Sequence, residues 1–561
     1  MVVVPTSKII LLKNPIEIDY LNELTFANKT AQYNYFSNLP KLECDNATYQ
    51  RKEEVIRFPT DPDMVDVTYD DLIQYNYCMY QNDKWSNKWF YAFVKEVIFD
   101  NPGMSYIKIE TDVWQTWCFD ITLKNSFIER EHVNDDTIGL HIVPENLEIG
   151  EPVSYSKVEE LNDPNNFKVC FAITETPDED LDPTLHKNIS GIYGGLYYLV
   201  ADTMTDADNI IKIYDIYNKA NAIISIFMIP RELCDLLNYT TWVYHSGQSD
   251  EIQAKIREVA DGKYYDSATT SYKYSSAWIT TTFMELPTKI GTYTPKNNKL
   301  FIYPYNYVNA TNNVGTTIPF KFEDSYYIDL STNKKNIAFD IEACVTGGLS
   351  MKAVPKKYMN IEGNYMYGIT LGKIPMCSWN SDYYLNWQTQ QGVNTVINGV
   401  ASILPAATSA AMGVPSGFTG AITGIFNTLH QFRVADMTPN QARGNINSGD
   451  INFAFENSGG FSLYLMGIKE QYAKIIDDYF TMFGYQVNTV KTPNVTGRTY
   501  WNYVKTIGCN LIGDIPQMDL EKIKDIFNNG VTFWHDPTKF LDYSQNNTIV
   551  ISQNNNNNIV T

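Results

Sequence analysis

Over the first 150 residues, short runs of β-branched and aromatic residues are broken by turn clusters. Such runs between turn signals predict strands. The opening segment MVVVPTSKIILLKNP predicts a strand; with no basic region ahead of its apolar run, it lacks the make-up of a signal peptide. KWFYAFVKEVIF (Lys88–Phe99) and MSYIKIETDVWQTWCFDITL (Met104–Leu123) flank Asp100-Asn101-Pro102-Gly103, which predicts a β-hairpin with an aromatic sheet face. Between residues 150 and 390 strands mix with short helices. Ile210, Ile211, Tyr214 and Tyr217 recur at helical spacing within Asp208–Ala220, and KLFIYPYNYV (Lys299–Val308) returns to a strand pattern. Near the C-terminus, Ile468–Tyr485 predicts an amphipathic helix with Tyr472, Ile475, Ile476, Tyr479 and Phe480 on one face. A second helix is predicted with Asp519 as its cap, Leu520, Ile523, Ile526 and Phe527 inward, and Gly530 ending it. Ser544–Thr561, with its QNNNNN run, reads as a low-complexity tail, disordered or docked on a partner.

One segment breaks the pattern. Tyr383 to Phe432 is fifty residues long and contains no Asp, Glu, Lys or Arg, in a chain of net charge −21. Its centre divides into two apolar arms, about Val393–Leu404 and Phe418–Leu429, joined by a bend that carries Pro405, Gly413, Pro415 and Gly417. Proline interrupts a helix, and an arm of twelve residues is only about 18 Å long if helical. That is too short to cross roughly 30 Å of hydrocarbon. Two readings stand: a buried helical hairpin or flexible Gly/Ala linker, or a conditional membrane-active loop. The candidate membrane-contact positions are Val393, Val396, Ile397, Val400, Ile403, Leu404, Phe418, Ile422, Ile425, Phe426 and Leu429.

Composition narrows the rest. At 561 residues the chain holds two to four domains, and its 40 tyrosines and abundant Asn and Thr favour β structure with polar loops. The acidic balance opposes a protein that grips nucleic acid, since that needs a basic footprint. The eight cysteines form no C-x-x-C pair and read as scattered buried thiols of a protein made in a reducing cytosol. Phosphate-loop, dinucleotide, nucleophile-elbow and zinc-protease motifs are absent. The six histidines lack metal-ligand spacing, so His535 beside Asp536 reads as structural. The acidic run Glu175–Asp182 reads as a solvated loop, with hard-cation binding as its alternative. No carboxylate pair stands out as a glycosidase site. The chain is expected not to be an enzyme, and to need no cofactor or metal.

Two blocks carry a resemblance. The first is NKWFYAFV (Asn87–Val94) followed by Ile107–Val133, with Trp89, Phe90, Tyr91, Asp112, Gln115, Thr116, Trp117, Phe127, Ile128, Arg130, Glu131 and His132. The second is Phe483–His535, with Gly484, Tyr485, Asn488, Pro493, Asn494, Arg498, Asn502, Tyr503, Val504, Gly513, Asp514, Ile515, Asn529, Gly530 and Trp534. Together they resemble the tail-knob (distal tail tube) proteins of small short-tailed phages of Gram-positive bacteria, the Picovirinae type. The resemblance covers roughly a third of the chain, and between the blocks it extends only to KLFIYPY (Lys299–Tyr305).

The resemblance implies a mainly β, α+β fold with β-barrel-like tube domains, and a homohexameric hollow tube at the distal tip of the virion tail, assembled in the host cytoplasm. It implies a tail or lower collar protein as neighbour, double-stranded DNA passing through without specific binding, and hydrophobic loops that plug the tube and then meet the host membrane. The expected organisation is a tube-wall domain over 1–150, middle domains over 151–382 forming the outer or lower knob, the loop over 383–432, a wall-completing segment over 433–543 and a tail over 544–561. A receptor- or carbohydrate-binding tail protein, with a host cell-wall receptor as partner, is the alternative that the Tyr-rich middle motivates. A cell-wall hydrolase is a third.

Overall fold

The structure, a computed structural model, describes residues 7–44, 48–50, 54–60, 67–82, 88–161, 167–173, 188–189, 192–193, 197–201, 204–216, 222–237, 240–241, 275–313, 315–345, 349–359, 361–363, 365–371, 376–378, 445–446 and 461–550. Strands are the commonest element among them, with a few helices between. They divide into two compact units. The first combines residues 1–149, 293–300 and 470–561; the second combines 150–292 and 301–469.

In the first unit, seven antiparallel strands run in the order Lys41–Cys44, Ser7–Leu12, Tyr77–Asn82, Phe90–Asn101, Met104–Thr111, Val55–Pro59, Thr48–Gln50. Its central strands are apolar on both faces, which explains runs such as Ile9-Ile10-Leu11-Leu12. Ile9, Leu11, Cys78, Tyr80, Phe90 and Ala92 enter one core. Ile10, Leu12, Tyr77, Met79, Tyr91 and Phe93 enter the other. A second sheet has the order Asn22–Leu24, Val531–Trp534, Trp501–Ile507, Ser126–Glu131, Tyr485–Lys491. It therefore joins strands from both blocks, more than 350 positions apart in the chain.

The predicted hairpin is present, but its second strand ends at Thr111, and Val113–Trp117 is helical. Asp112 causes the switch: its side chain accepts the Gln115 N–H and caps the helix, which buries Trp114 and Trp117. The amphipathic helix spans Glu470–Phe483. Ile476 and Phe480 face inward as expected and Tyr472 and Tyr479 are half-buried, but Ile475 is 67% exposed and the buried row runs through Ala473 and Asp477. The helix Gln517–Asn529 buries Leu520, Ile523, Ile526 and Phe527 and ends at Gly530. Asp519 is not its cap. It sits in the first turn and accepts the Trp117 Nε1–H at 2.8 Å. Up to Val550 the tail packs on the segment 497–499, with Thr499 N donating to Thr548 O at 3.0 Å and Val550 N to Gly497 O at 3.0 Å, and its QNNNNN run lies outside the described residues.

In the second unit, a four-stranded antiparallel sheet runs Val153–Glu160, Phe461–Gly467, Asn306–Thr311, Thr317–Phe320. A six-stranded sheet is built around Phe167–Ile173, buried along its whole length, and Ile223–Pro230. A third sheet centres on the pair Ser275–Glu285 and Lys335–Val345. Phe320, Phe339 and Phe461 meet in their common core. The predicted helix at Asp208 begins earlier and spans Met204–Ile216; Ile210, Ile211 and Tyr214 are buried, and Tyr217 lies outside the described residues. Strand structure in KLFIYPYNYV starts only at Asn306, because Asn298–Phe301 forms a 3-10 turn and the Tyr305 N–H turns back to Ile302 O at 2.9 Å. Among the described residues every sheet is an open path of strands, and none closes into a barrel.

Candidate functional site

Several of the residues that the two blocks share with the tail-knob pattern, among them Arg130, Glu131, His132, Gly484, Tyr485, Asn494 and Tyr503, converge in the first unit on a buried polar junction. Strands Ser126–Glu131, Tyr485–Lys491 and Trp501–Ile507 form its floor. The helix Glu470–Phe483 and the segment 293–300 supply further groups.

Glu145 is the hub, with 1% of its side chain exposed. Its Oε1 accepts from Lys299 Nζ at 2.6 Å and from the Gln486 N–H at 2.8 Å, and Arg130 Nη2 donates to its Oε2. Arg130 Nη1 also donates to Gly484 O at 2.7 Å, and Lys299 Nζ to Val143 O at 2.9 Å. Burial pulls the Lys299 ammonium below its usual range, with Glu145 opposing the shift.

Two more carboxylates stitch segment 293–300 to this floor. Asp477 accepts from Tyr293 Oη at 2.6 Å, Lys296 N at 2.8 Å and Asn297 N at 3.0 Å. Asp136 accepts from Tyr485 Oη at 2.7 Å and Asn298 N at 3.0 Å, and burial raises its carboxyl above the ordinary value. Glu131, fully buried, pairs with Lys491. Gly484 permits the close approach of these strands. Its φ is +65°, and a Cβ there would stand 2.1 Å from Glu131 O.

Two histidines among the described residues, buried His132 and half-buried His535, are occupied by structure. His132 Nδ1 accepts the Tyr503 N–H at 2.8 Å, so the other nitrogen carries the proton and faces Thr481 O at 3.1 Å. Burial, helped by Arg498, pushes its pKa down to about 3, which keeps the ring neutral. His535 lies between Thr25 Oγ1 at 2.8 Å and Asn502 Oδ1 at 3.0 Å, and burial lowers it to about 4. Neither ring is free to move a proton, as a general base must be.

Trp117 is buried as its motif position requires, with Lys88 Nζ 3.6 Å from its ring centre. Phe127 is 37% exposed and Ile128 is buried. Cys78, Cys118, Cys170 and Cys509 are free thiols, all buried but Cys118. Glu145, Asp136 and Asp477 went unrecognised in the sequence, and Lys299 entered only as the first residue of the matched KLFIYPY. Only Asp477 carried a signal, an acid within the apolar row of a helix. The membrane-contact positions Val393 to Leu429, the bend at Pro405, Gly413, Pro415 and Gly417, and the acidic loop Glu175–Asp182 lie outside the described residues. Among those that are described, no helix is long and apolar enough to cross a membrane.

The junction's buried charges, with His132 and His535, serve to join segments distant in the chain, which is a structural role. Residues 5–124 match the family model for the N-terminus of the caudoviral major tail protein, a component of phage tails. Residues 266–548, half of the chain, match the model of the C-terminal domain of the Bacillus phage phi29 tail knob protein gp9, and the chain belongs to that tail-knob family. It is 27% identical to the tail knob protein gp9 of phage phi29, over 94% of this chain and 96% of that protein. It is 26% identical to the tail knob protein gp9 of Bacillus phage B103, over 95% and 97%. The tail knob protein gp12 of bacteriophage C1 shares its fold, with a TM-score of 0.61 over 97% of this chain and all of that one, at 16% identity. These relatives are structural tail proteins and not enzymes. The chain is a structural component of the virion tail.

Proposed function

We propose that six copies of this chain form a hollow tail knob that conducts the phage genome, and that the loop Tyr383–Phe432 plugs this tube and then takes part in membrane penetration. The observation that carries the reading is the loop itself: fifty uncharged residues in a tail-knob chain of net charge −21. Exposed to water, the apolar positions Val393 to Leu404 and Phe418 to Leu429 would form a patch that soluble proteins seldom tolerate. Six such loops gathered inside a tube bury one another. On release they exchange that burial for lipid, at roughly 25 cal/mol per Å² in either place. The near balance suits a switch, since a modest trigger moves a two-state equilibrium.

Two features support the tube. The acidic chain repels phosphate, so duplex DNA slides past without sticking. Residues 1–149 and 470–561 fold into one unit, as a wall assembled from both ends of the chain requires. In this reading 151–382 forms the outer or lower knob, and the neighbours are the tail protein above, the DNA in transit and the host membrane.

Negative-stain electron microscopy of the purified protein, averaged end-on, tests the tube. A six-fold ring with a channel wide enough for duplex DNA is expected. A compact monomer that also fails to assemble on virion tails lacking it refutes the reading, and cell-wall binding then becomes the alternative to pursue. Liposome leakage tests the loop separately: Ile422→Asp with Phe426→Asp leaves assembly intact and abolishes leakage.

A further inference from the structure

Two fully buried carboxyl groups in the first unit share one glutamine. Glu23 lies on the strand Asn22–Leu24, which pairs in parallel with Thr532–Trp534. Asp112 caps the helix Val113–Trp117. Gln115 Nε2 donates to Glu23 Oε2 at 2.9 Å, and the Gln115 N–H donates to Asp112 Oδ1 at 3.0 Å. The glutamine cannot turn away, because its Oε1 accepts from Gln32 Nε2 at 2.9 Å. Tyr77 Oη donates to Asp112 Oδ2 at 2.7 Å. Glu23 Oε1 is sealed from solvent and has no hydrogen-bond partner among the described residues.

Among the described residues no cation acts on either carboxyl. Facing the pair are Asp19 and Tyr20 from the preceding turn, Tyr77 and Tyr91 from the large sheet, and Cys118 after the helix, with Glu110 reaching only Tyr20 and Asp120 only Cys118. The neighbouring strand, Val531–Trp534, contributes no ionisable side chain. Lys88 is engaged by Asp120 at 2.5 Å, and His535, against Thr25, stays neutral.

We propose that Glu23 is the proton-holding member of a latch: neutral, it keeps the strand Asn22–Leu24 in the sheet, and loss of its proton to water as pH rises releases that strand. The assignment within the pair follows from donors. Asp112 has the Gln115 N–H and the Tyr77 hydroxyl to hold its charge, whereas Glu23 has one amide and an orphaned oxygen. Two bare carboxylates here would be like charges without solvent. Burial raises both groups, Asp112 to about 6 and Glu23 well above the usual carboxylate range. For a raised acid, stability is complete below the ordinary value and is lost as pH climbs through the raised one.

Hydrogen exchange of full-length protein, read on peptides covering residues 19–26 between about pH 5 and about pH 9 and corrected for intrinsic rates, tests the latch. In the native protein the opening constant should rise roughly tenfold per pH unit while the folded state retains the proton that the open state has lost. In Glu23→Gln the rise should flatten. Asp112→Asn, still a competent helix cap, removes the like charge, and the plateau should begin at lower pH. A flat profile in the native protein overturns the proposal, as does the same slope in Glu23→Gln or an unmoved plateau in Asp112→Asn.

Discussion

Replacing Glu145 with Gln tests whether the junction holds the first unit together. The side chains of Glu145 and Lys299 are 1% and 2% exposed, and that of Arg130 is 11% exposed. The native triad holds two positive charges and one negative, a net of +1. Glu145→Gln raises the buried charge to +2 and leaves both cations without their carboxylate. Removing one partner of a buried pair costs about 3–5 kcal/mol, because the remaining charge stays desolvated. Lys299→Met leaves the neutral Arg130–Glu145 pair and an apolar side chain against Phe480 and Tyr485, whose ring centres lie 5.8 and 5.3 Å from Nζ. Its loss should be distinctly smaller. The assay is hydrogen exchange at Gln486, whose amide donates to Glu145 at 2.8 Å. A loss of about 3–5 kcal/mol speeds that exchange by roughly two to three and a half powers of ten. Equal effects for the two variants, or protection in Glu145→Gln within about tenfold of the native protein, would refute the charge argument and leave the junction as ordinary packing.

Three further outcomes are expected. Gly484→Val should abolish soluble expression, because its φ of +65° and the 2.1 Å approach to Glu131 O leave no room for a Cβ; normal yield with native circular dichroism would contradict the close approach. Trp117→Asp should do the same, since it buries a charge where the ring now meets Lys88 at 3.6 Å and Asp519 at 2.8 Å. His132 and His535, held neutral down to about 3 and about 4, contribute stability that is complete above about pH 6.5 and falls by roughly 1.4 kcal/mol per pH unit per histidine below it. Urea midpoints for His132→Asn with His535→Asn should therefore lose the steepness of their acid limb, although raised carboxyls such as Glu131 and Asp136 pull the opposite way; an unchanged limb would show that the rings are already charged.

Strand pattern was the legible part of the fold, and it failed where one side chain redirected the chain. The run after Thr111 is as β-favouring as the run before it, yet the cap made by Asp112 bends it into a helix and turns two tryptophans inward. Helical spacing placed Ile476 and Phe480 correctly, but it assigned Ile475 to the core because an apolar residue at the edge of the stripe looks the same whether it is covered or not. The buried acid in that row, Asp477, was filled by donors from residues 293–297, far away in the chain. Local periodicity carries no information about such a partner.

The same limit explains how the family motif and the junction relate. Arg130, Glu131 and His132 belong to one block, and Gly484, Tyr485, Asn494 and Tyr503 belong to the other, yet their bonds run from each block to the other: Arg130 to Gly484 O, the Tyr503 N–H to His132, and Asn494 Nδ2 to His132 O at 2.9 Å. A strand pair so distant along the chain gains nothing until a long loop closes, so its register must be specified by groups that are costly to leave unpaired. A buried Arg, Glu and His, each with a partner across the gap, supply that specification. Junction variants should therefore fail at assembly of the first unit, before any effect on the loop is seen. Loop variants such as Ile422→Asp with Phe426→Asp should assemble and fail only at the membrane. An intact ring from Glu145→Gln together with lost liposome leakage would break this division of labour, because it would tie the junction to the loop instead of to the wall.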